Sequence, residues 1–175
     1  DVSKNAKLEY LNVGQSKFTS LDVTHNLKLK WLYCGSNQLT QLDVTQNPAL
    51  EALHCQNNQL TKLDVSNNTA LSRLACQSTK LDVSKNIPLC NLLFHDNQIS
   101  SIDLTELPKL SNLYCADNPM RQLDLSRNLN LTALHCDHLG LTELSIPSTK
   151  LHTLDCERGN HLDLSKLDLS EQASP

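Results

Sequence analysis

Apolar and polar positions along this chain follow a frame that repeats about every twenty-one residues. The tags LDVT, LDVT, LDVS, LDVS, IDLT, LDLS, LSIP and LDLS begin at Leu21, Leu42, Leu63, Leu81, Ile102, Leu123, Leu144 and Leu162, at intervals of 21, 21, 18, 21, 21, 21 and 18. Asp1-Val2-Ser3 fits the frame one unit earlier without the leading Leu, so the chain is expected to open inside a coil. In the unit Leu42 to Lys62 the apolar positions are Leu42, Val44, Leu50, Leu53, Cys55 and Leu60. Leu42-Asp43-Val44 and Leu53-His54-Cys55 each have a period of two, which predicts two short extended stretches per unit. One unit buries about six side chains at roughly 1.5 to 3 kcal/mol each, against a backbone ordering cost of about 1 to 2 kcal/mol for every residue. It cannot fold alone. Stacking units about 4.8 Å apart pairs their strands in parallel and closes one continuous core, which predicts a solenoid.

The second half of each unit, LxxLxCxxNxL, resembles the leucine-rich-repeat signature LxxLxLxxNxL with Cys in the third Leu place. The period, the cysteine column and the LDVS/LDVT tag together are similar to internalin J and related bacterial surface proteins. The resemblance covers residues 1–170. It implies an α/β-type repeat solenoid, mostly β and irregular turns: a right-handed superhelix of about eight coils with a parallel sheet on its concave face. Residues 171–175 then form a tail or the start of a linker. The tag is repeated near the end without its strand, so the segment Leu162 to Leu169 is one candidate to fold back over the last coil.

Three columns fill the frame. Cys34, Cys55, Cys76, Cys115, Cys136 and Cys156 share an inward slot with Val13 and Phe94. Val, Phe and Cys interchange only where apolar volume is wanted, so the thiols read as small buried hydrophobes. A straight file does not converge on a tetrahedron, which argues against zinc. Asn37, Asn58, Asn97 and Asn118 form a second column, expected to satisfy turn backbone and to break at Thr79, Leu139 and Gly159-Asn160. Asp1, Asp22, Asp43, Asp64, Asp82, Asp103, Asp124 and Asp163 form a third, interrupted by Ser145. They are expected to accept turn N–H bonds and to face Lys62, Lys80, Lys85 and Arg127, a calcium-lined ridge being the alternative. Thr24, Thr45, Ser66, Ser84, Thr105 and Ser126 read as turn caps. The two 18-residue intervals are either three-residue deletions in turns or gaps in the chain.

Composition narrows the function. Leu makes up 36 of 175 residues and aromatics only 3%. A net charge of -4 argues against nucleic acid or an anionic membrane as main partner, and no apolar run is long enough to span a bilayer or serve as a leader. Seven cysteines without CxxC spacing support neither a disulfide framework nor a zinc ribbon.

The outward residues of the first strand are the expected binding surface. Its central row is Asn12, Tyr33, His54, Ala75, Leu93, Tyr114, His135 and Asp155, with Tyr10, Trp31, Ala52 and Arg73 starting one flanking row and Gly14, Gly35, Gln56 and Gln77 the other. All three Tyr and the one Trp fall outward, while Phe18 and Phe94 fall inward. Strand propensity alone accounts for aromatics here. The functional reading is a recognition stripe, since Tyr and Trp dominate binding hot spots. The candidate partner-binding residues are Tyr10, Trp31, Tyr33, His54, Arg73, Leu93, His95, Tyr114, His135, Asp137, Asp155 and Glu157. The aromatic end has room beside Gly14 and Gly35, and the other end is acidic. His135-Cys136-Asp137-His138 suggests catalysis, but thiol and imidazole fall on opposite strand faces, so no nucleophile is expected. A divalent-ion site among His135, Asp137, Asp155 and Glu157 is weighed against a solvated acidic surface, which is preferred. Cys90 lies outside the column and is expected to be exposed.

The expected function is therefore a non-enzymatic protein-recognition or adhesion module, with no cofactor and no metal. By resemblance it is surface-exposed or secreted, its partner a host or surface protein; a glycan is the alternative.

Overall fold

The computed structural model describes residues 1–146 and 150–163. It contains ten three-residue strands: β1 Tyr10–Asn12, β2 Trp31–Tyr33, β3 Ala52–His54, β4 Arg73–Ala75, β5 Asn91–Leu93, β6 Asn112–Tyr114, β7 Gln122–Asp124, β8 Ala133–His135, β9 Glu143–Ser145 and β10 Thr153–Asp155. Eight form one parallel sheet in the order β1-β2-β3-β4-β5-β6-β8-β10, and β7 pairs with β9 in a second. No helix occurs among the described residues, so the solenoid is β and turn throughout. Residues 164–170 of the expected repeat domain, the tail 171–175 and most of the Leu162 to Leu169 segment lie outside the described residues.

Register follows the repeat. Leu11, Leu32, Leu53, Leu74, Leu92, Leu113, Leu134 and Leu154 stand opposite one another from coil to coil. Two residues on, Cys34, Cys55, Phe94, Cys115 and Cys136 are sealed from solvent, with Cys76 and Cys156 nearly so. The file is a core file, as the sequence indicated. Leu74 pairs directly with Leu92, so the first short unit stacks in register without the three residues that the other units carry. The shortening falls just after β4, where Ser78 takes the slot held elsewhere by Leu39, Leu60, Ile99, Met120 and Leu141: each of these positions but Leu60 and Met120 donates its N–H to an Asn Oδ1 of the next coil. Phe94 enters the cysteine file in the very next coil, placing extra aromatic volume beside the missing aliphatic volume. The second short unit is split, because β8 and β10 align at a spacing of 20 residues.

Phe18 departs from expectation. It is 46% exposed rather than inward. It occupies the same slot as Leu39, but in the first coil, where no earlier coil covers it.

Among the described residues the expected second extended stretch forms a ladder only at β7 and β9. There Asp124 stands opposite Ser145. In the other coils aspartate follows aspartate, and carboxylates one coil apart repel by roughly 1 kcal/mol even in water. Asp22 and Asp64 indeed both work against ionisation of Asp43.

Two files of asparagine tie each coil to the one before. Asn37 Nδ2 donates to Val13 O and Cys34 O, while its Oδ1 accepts from Phe18 N. Asn58, Asn97 and Asn118 repeat this. The file resumes at Asn160, whose Nδ2 donates to Cys136 O and Cys156 O, so the expected break there is a one-residue shift. The second file, Asn26, Asn47, Asn68, Asn86 and Asn128, is fully buried. Asn47 Nδ2 donates to Val23 O at 3.0 Å and Asn26 O at 2.9 Å, and the others do likewise. Leu107 replaces it in one coil, where the local turn bonds lengthen to 3.2 Å. Just past the strand, Gln15, Ser36, Asn57, Asp96, Asp117 and His138 all adopt a left-handed backbone with φ of 53 to 56°.

Asn47→Asp would aim a buried carboxylate at two carbonyl oxygens. It is expected to cost at least about 3 kcal/mol at neutral pH, read as a lower urea midpoint that partly recovers on acidification, whereas Asn47→Leu, copying Leu107, costs less.

Candidate functional site

The outer face of the eight-stranded sheet collects the candidate residues by register alone. Side chains at alternate strand positions share a face, so Tyr10 and Trp31 neighbour each other in one row, and Tyr33 and His54 in another. Tyr10 and Tyr33 have ring centroids 5.7 Å apart, and Tyr33 meets His54 edge-on at 4.8 Å. Tyr10 is 54% exposed; Trp31, Tyr33 and His54 are half-buried. Lys30 Nζ lies 5.8 Å from the Trp31 ring and 3.0 Å from Glu9 Oε2. That pair was not anticipated, although Glu9 and Lys30 are opposite charges one repeat apart. Burial, and to a lesser degree the Arg73 charge, hold the His54 imidazole below its ordinary pKa, so it is neutral at pH 7.

The face is divided in the middle. Ala52 and Ala75, in outward slots, are buried because longer neighbours overshadow them. Arg73 is exposed beside them, and Leu93 is half-buried next to Tyr114. The room expected beside Gly35 is filled: a Cβ there would meet the Gln56 side chain at 3.1 Å.

At the far end Tyr114 and His135 stack at 4.3 Å with ring planes 10° apart. His135 Nδ1 lies 3.6 Å from Asp155 Oδ2, and His138 Nδ1 lies 3.3 Å from Asp117 Oδ1. Asp137 is half-buried and accepts the Arg158 N–H; His95, Asp155 and Glu157 are exposed. No three His, Cys, Asp or Glu side chains among the described residues are gathered to hold a metal ion. The sheet thus carries two clusters, one aromatic and one acidic with histidines, rather than one continuous stripe.

Cys136 is buried on the opposite face of the strand from His135. Burial pushes the thiols of Cys34, Cys76 and Cys115 up to about 12, and those of Cys55 and Cys136 also rise. Such thiols are poor nucleophiles. Cys90 is half-buried rather than exposed, its S–H donating to Ser72 O at 3.3 Å.

On the flank, Asp43 Oδ1 accepts both the N–H and the hydroxyl of Thr45, at 2.9 and 2.7 Å. Asp22, Asp64 and Asp103 repeat the arrangement with Thr24, Ser66 and Thr105. The Ser and Thr residues are donors to the carboxylate, not caps in their own right. Basic side chains help at longer range: no ion pair within 4.0 Å joins Lys62, Lys80, Lys85 or Arg127 to Asp22, Asp43, Asp64, Asp82, Asp103 or Asp124, and Lys62, Lys85 and Arg127 hold the carboxyls of Asp64, Asp82, Asp103 and Asp124 down less than the Ser and Thr donors do.

These features define a leucine-rich-repeat solenoid with an internalin-like cysteine file. Among solved structures it is similar to the functional domain of InlJ from Listeria monocytogenes, which includes a cysteine ladder, at 31% identity and a TM-score of 0.50 over 97% of this chain and 53% of that one. A leucine-rich-repeat protein of Leptospira interrogans matches with a TM-score of 0.82 at 22% identity over 97% of this chain and 48% of that one. YopM, a leucine-rich effector protein from Yersinia pestis, matches at 27% identity with a TM-score of 0.71, over 89% of this chain and 44% of that one. The chain spans about half the length of these proteins. No family model matches it, and no curated protein does.

In the native protein Cys90 is expected to be the fast-reacting thiol toward an aromatic disulfide reagent near pH 8, with all seven reacting in denaturant; Cys90→Ser should abolish the fast phase. The depressed Asp carboxyls bind protons less readily folded than unfolded, so their contribution is complete above the ordinary carboxylate range. It is lost as pH falls between about pH 5 and pH 2. Thr45→Val is expected to move the Asp43 carboxyl back up toward the ordinary aspartate range, as read by NMR titration.

Proposed function

We propose that this repeat is a non-enzymatic recognition module that binds a protein partner through the outer, concave face of its eight-stranded sheet. The observation that carries this reading is the sorting of side chains across the strands. Every strand of the eight-stranded sheet turns a Leu inward, followed by Cys, Val or Phe, and presents a different set of residues on the other side. The contact surface comprises Tyr10, Trp31, Tyr33 and His54 at one end, Arg73 and Leu93 in the middle, and His95, Tyr114, His135, Asp137, Asp155 and Glu157 at the other. Aromatic contact area held on a rigid sheet costs little ordering on binding, and the carboxylates at the far end select a basic patch on the same partner. Similarity to InlJ and YopM supports a protein-interaction role. Adhesion and a surface-exposed or secreted location are part of this reading through the resemblance of the repeat and its cysteine file to internalin J; no described helix is long and apolar enough to cross a membrane.

Protein and glycan arrays probed with the same chain separate the protein reading from a glycan platform at Trp31 and Tyr33. Against a protein so identified, Trp31→Ala, Tyr33→Ala and Tyr114→Ala are each expected to weaken binding by about 2 kcal/mol, measured by calorimetry. Unchanged affinity in all three would reduce the stripe to strand chemistry.

A further inference from the structure

Between the tag and the main strand most coils carry the turn Val/Leu-Ser/Thr-x-Asn-x-x-Leu, with Leu107 in the Asn place of one. The Asn is turned into the core, so the residue after it is thrown outward. Leu27, Ile87 and Leu129 are 57%, 54% and 60% exposed at this slot, and Pro48 and Pro108 share it. Exposed aliphatics scattered singly are ordinary, but one slot repeated in register makes a stripe. From Leu27 to Leu129 it crosses five coil spacings, about 24 Å at about 4.8 Å each, and only Thr69 interrupts it.

Cations border both sides. Lys4, Lys85 and Arg127 stand in the file before the buried Asn, and Lys7, Lys28, Lys109 and Lys150 in the file after the apolar slot. Glu106 is the one carboxylate in these two files among the described residues. No ion pair within 4.0 Å joins these seven cations to a carboxylate among the described residues, although Lys85 favours ionisation of Asp82, and Arg127 that of Asp103 and Asp124; Lys150 Nζ meets Asn130 Oδ1. This differs from the sheet face, where carboxylates gather at one end.

We infer that this turn-side stripe docks an extended acidic polypeptide segment whose apolar side chains lie on Leu27, Ile87 and Leu129 and whose carboxylates meet the flanking cations. The site is narrow and one-dimensional, which suits a single extended strand. A bilayer or a nucleic acid fits less well: the Asp22 to Asp124 file runs parallel five positions before the apolar slot in the frame, and a broad anionic surface would be pressed against it. A strand threaded along the stripe stays clear of that file.

At about 3.3 Å per residue, an eight-residue strand spans the stripe. The probe is a labelled peptide of alternating Glu and Leu, read by fluorescence anisotropy against the whole chain, with an alternating Lys and Leu peptide and phosphatidylserine vesicles alongside. The acidic peptide is expected to bind saturably, and more weakly as salt rises. Leu27→Ser/Ile87→Ser/Leu129→Ser should weaken it about tenfold or more, and Lys28→Gln/Lys109→Gln should do so separately. These positions are exposed, so urea midpoints should stay unchanged; if the triple variant unfolds, the lysine pair decides alone. Absence of saturable binding, equal binding of the basic peptide, preference for vesicles, or full affinity in the lysine variant would each overturn the inference.

Discussion

Every coil of this molecule depends on its neighbour to satisfy backbone groups that it cannot satisfy itself. Carbonyls at the two turns of one coil are met by side-chain amides from the next, Asn37 and its equivalents on one turn and Asn47 and its equivalents on the other. A buried carbonyl without a donor costs roughly 1 to 3 kcal/mol, so these bonds fix the stacking distance and register. Hydrophobic burial supplies the drive, but Leu and Cys would tolerate a small slip. Paired amides would not.

That register is what makes a surface out of three-residue strands. No single strand here holds two candidate contact residues beyond its own alternate positions, and residues 21 apart in sequence become neighbours. Tyr10, Tyr33 and His54 touch only because three coils stack without offset, and the Tyr114–His135 stack arises in the same way. The inward half of each coil is then constrained by its neighbours, while the outward half is free to vary. Structures at 20 to 31% identity share the solenoid.

The period made the main strand, the cysteine file and the sorting of Tyr and Trp to one face legible in the sequence. It was less informative where a residue's fate depends on its partner rather than its slot. Phe18 has the same frame position as Leu39, yet lies at an end and is exposed. The tag strand has nearly the same pattern in each coil, yet among the described residues it pairs only where Ser145 replaces the opposing carboxylate. Gly35 leaves space that Gln56 fills from the next coil. The buried Asn47 file recurs as regularly as the Asn37 file and was overlooked because asparagine in a turn is commonly an exposed residue. Its complete burial is a property of the stack.

The left-handed residues just past the main strand carry a consequence for engineering. A side chain with a Cβ is held there at some cost in backbone energy, least for Asn and Asp and more for residues such as Gln15 and Ser36. The shortened fourth coil escapes this, and the last does so by placing Gly159 at a positive φ. Glycine at Gln15 and Ser36 would relax the backbone without touching the core, offset in part by the greater freedom of the unfolded chain. Thermal tolerance of the solenoid is therefore adjustable coil by coil from a seam beside the sheet.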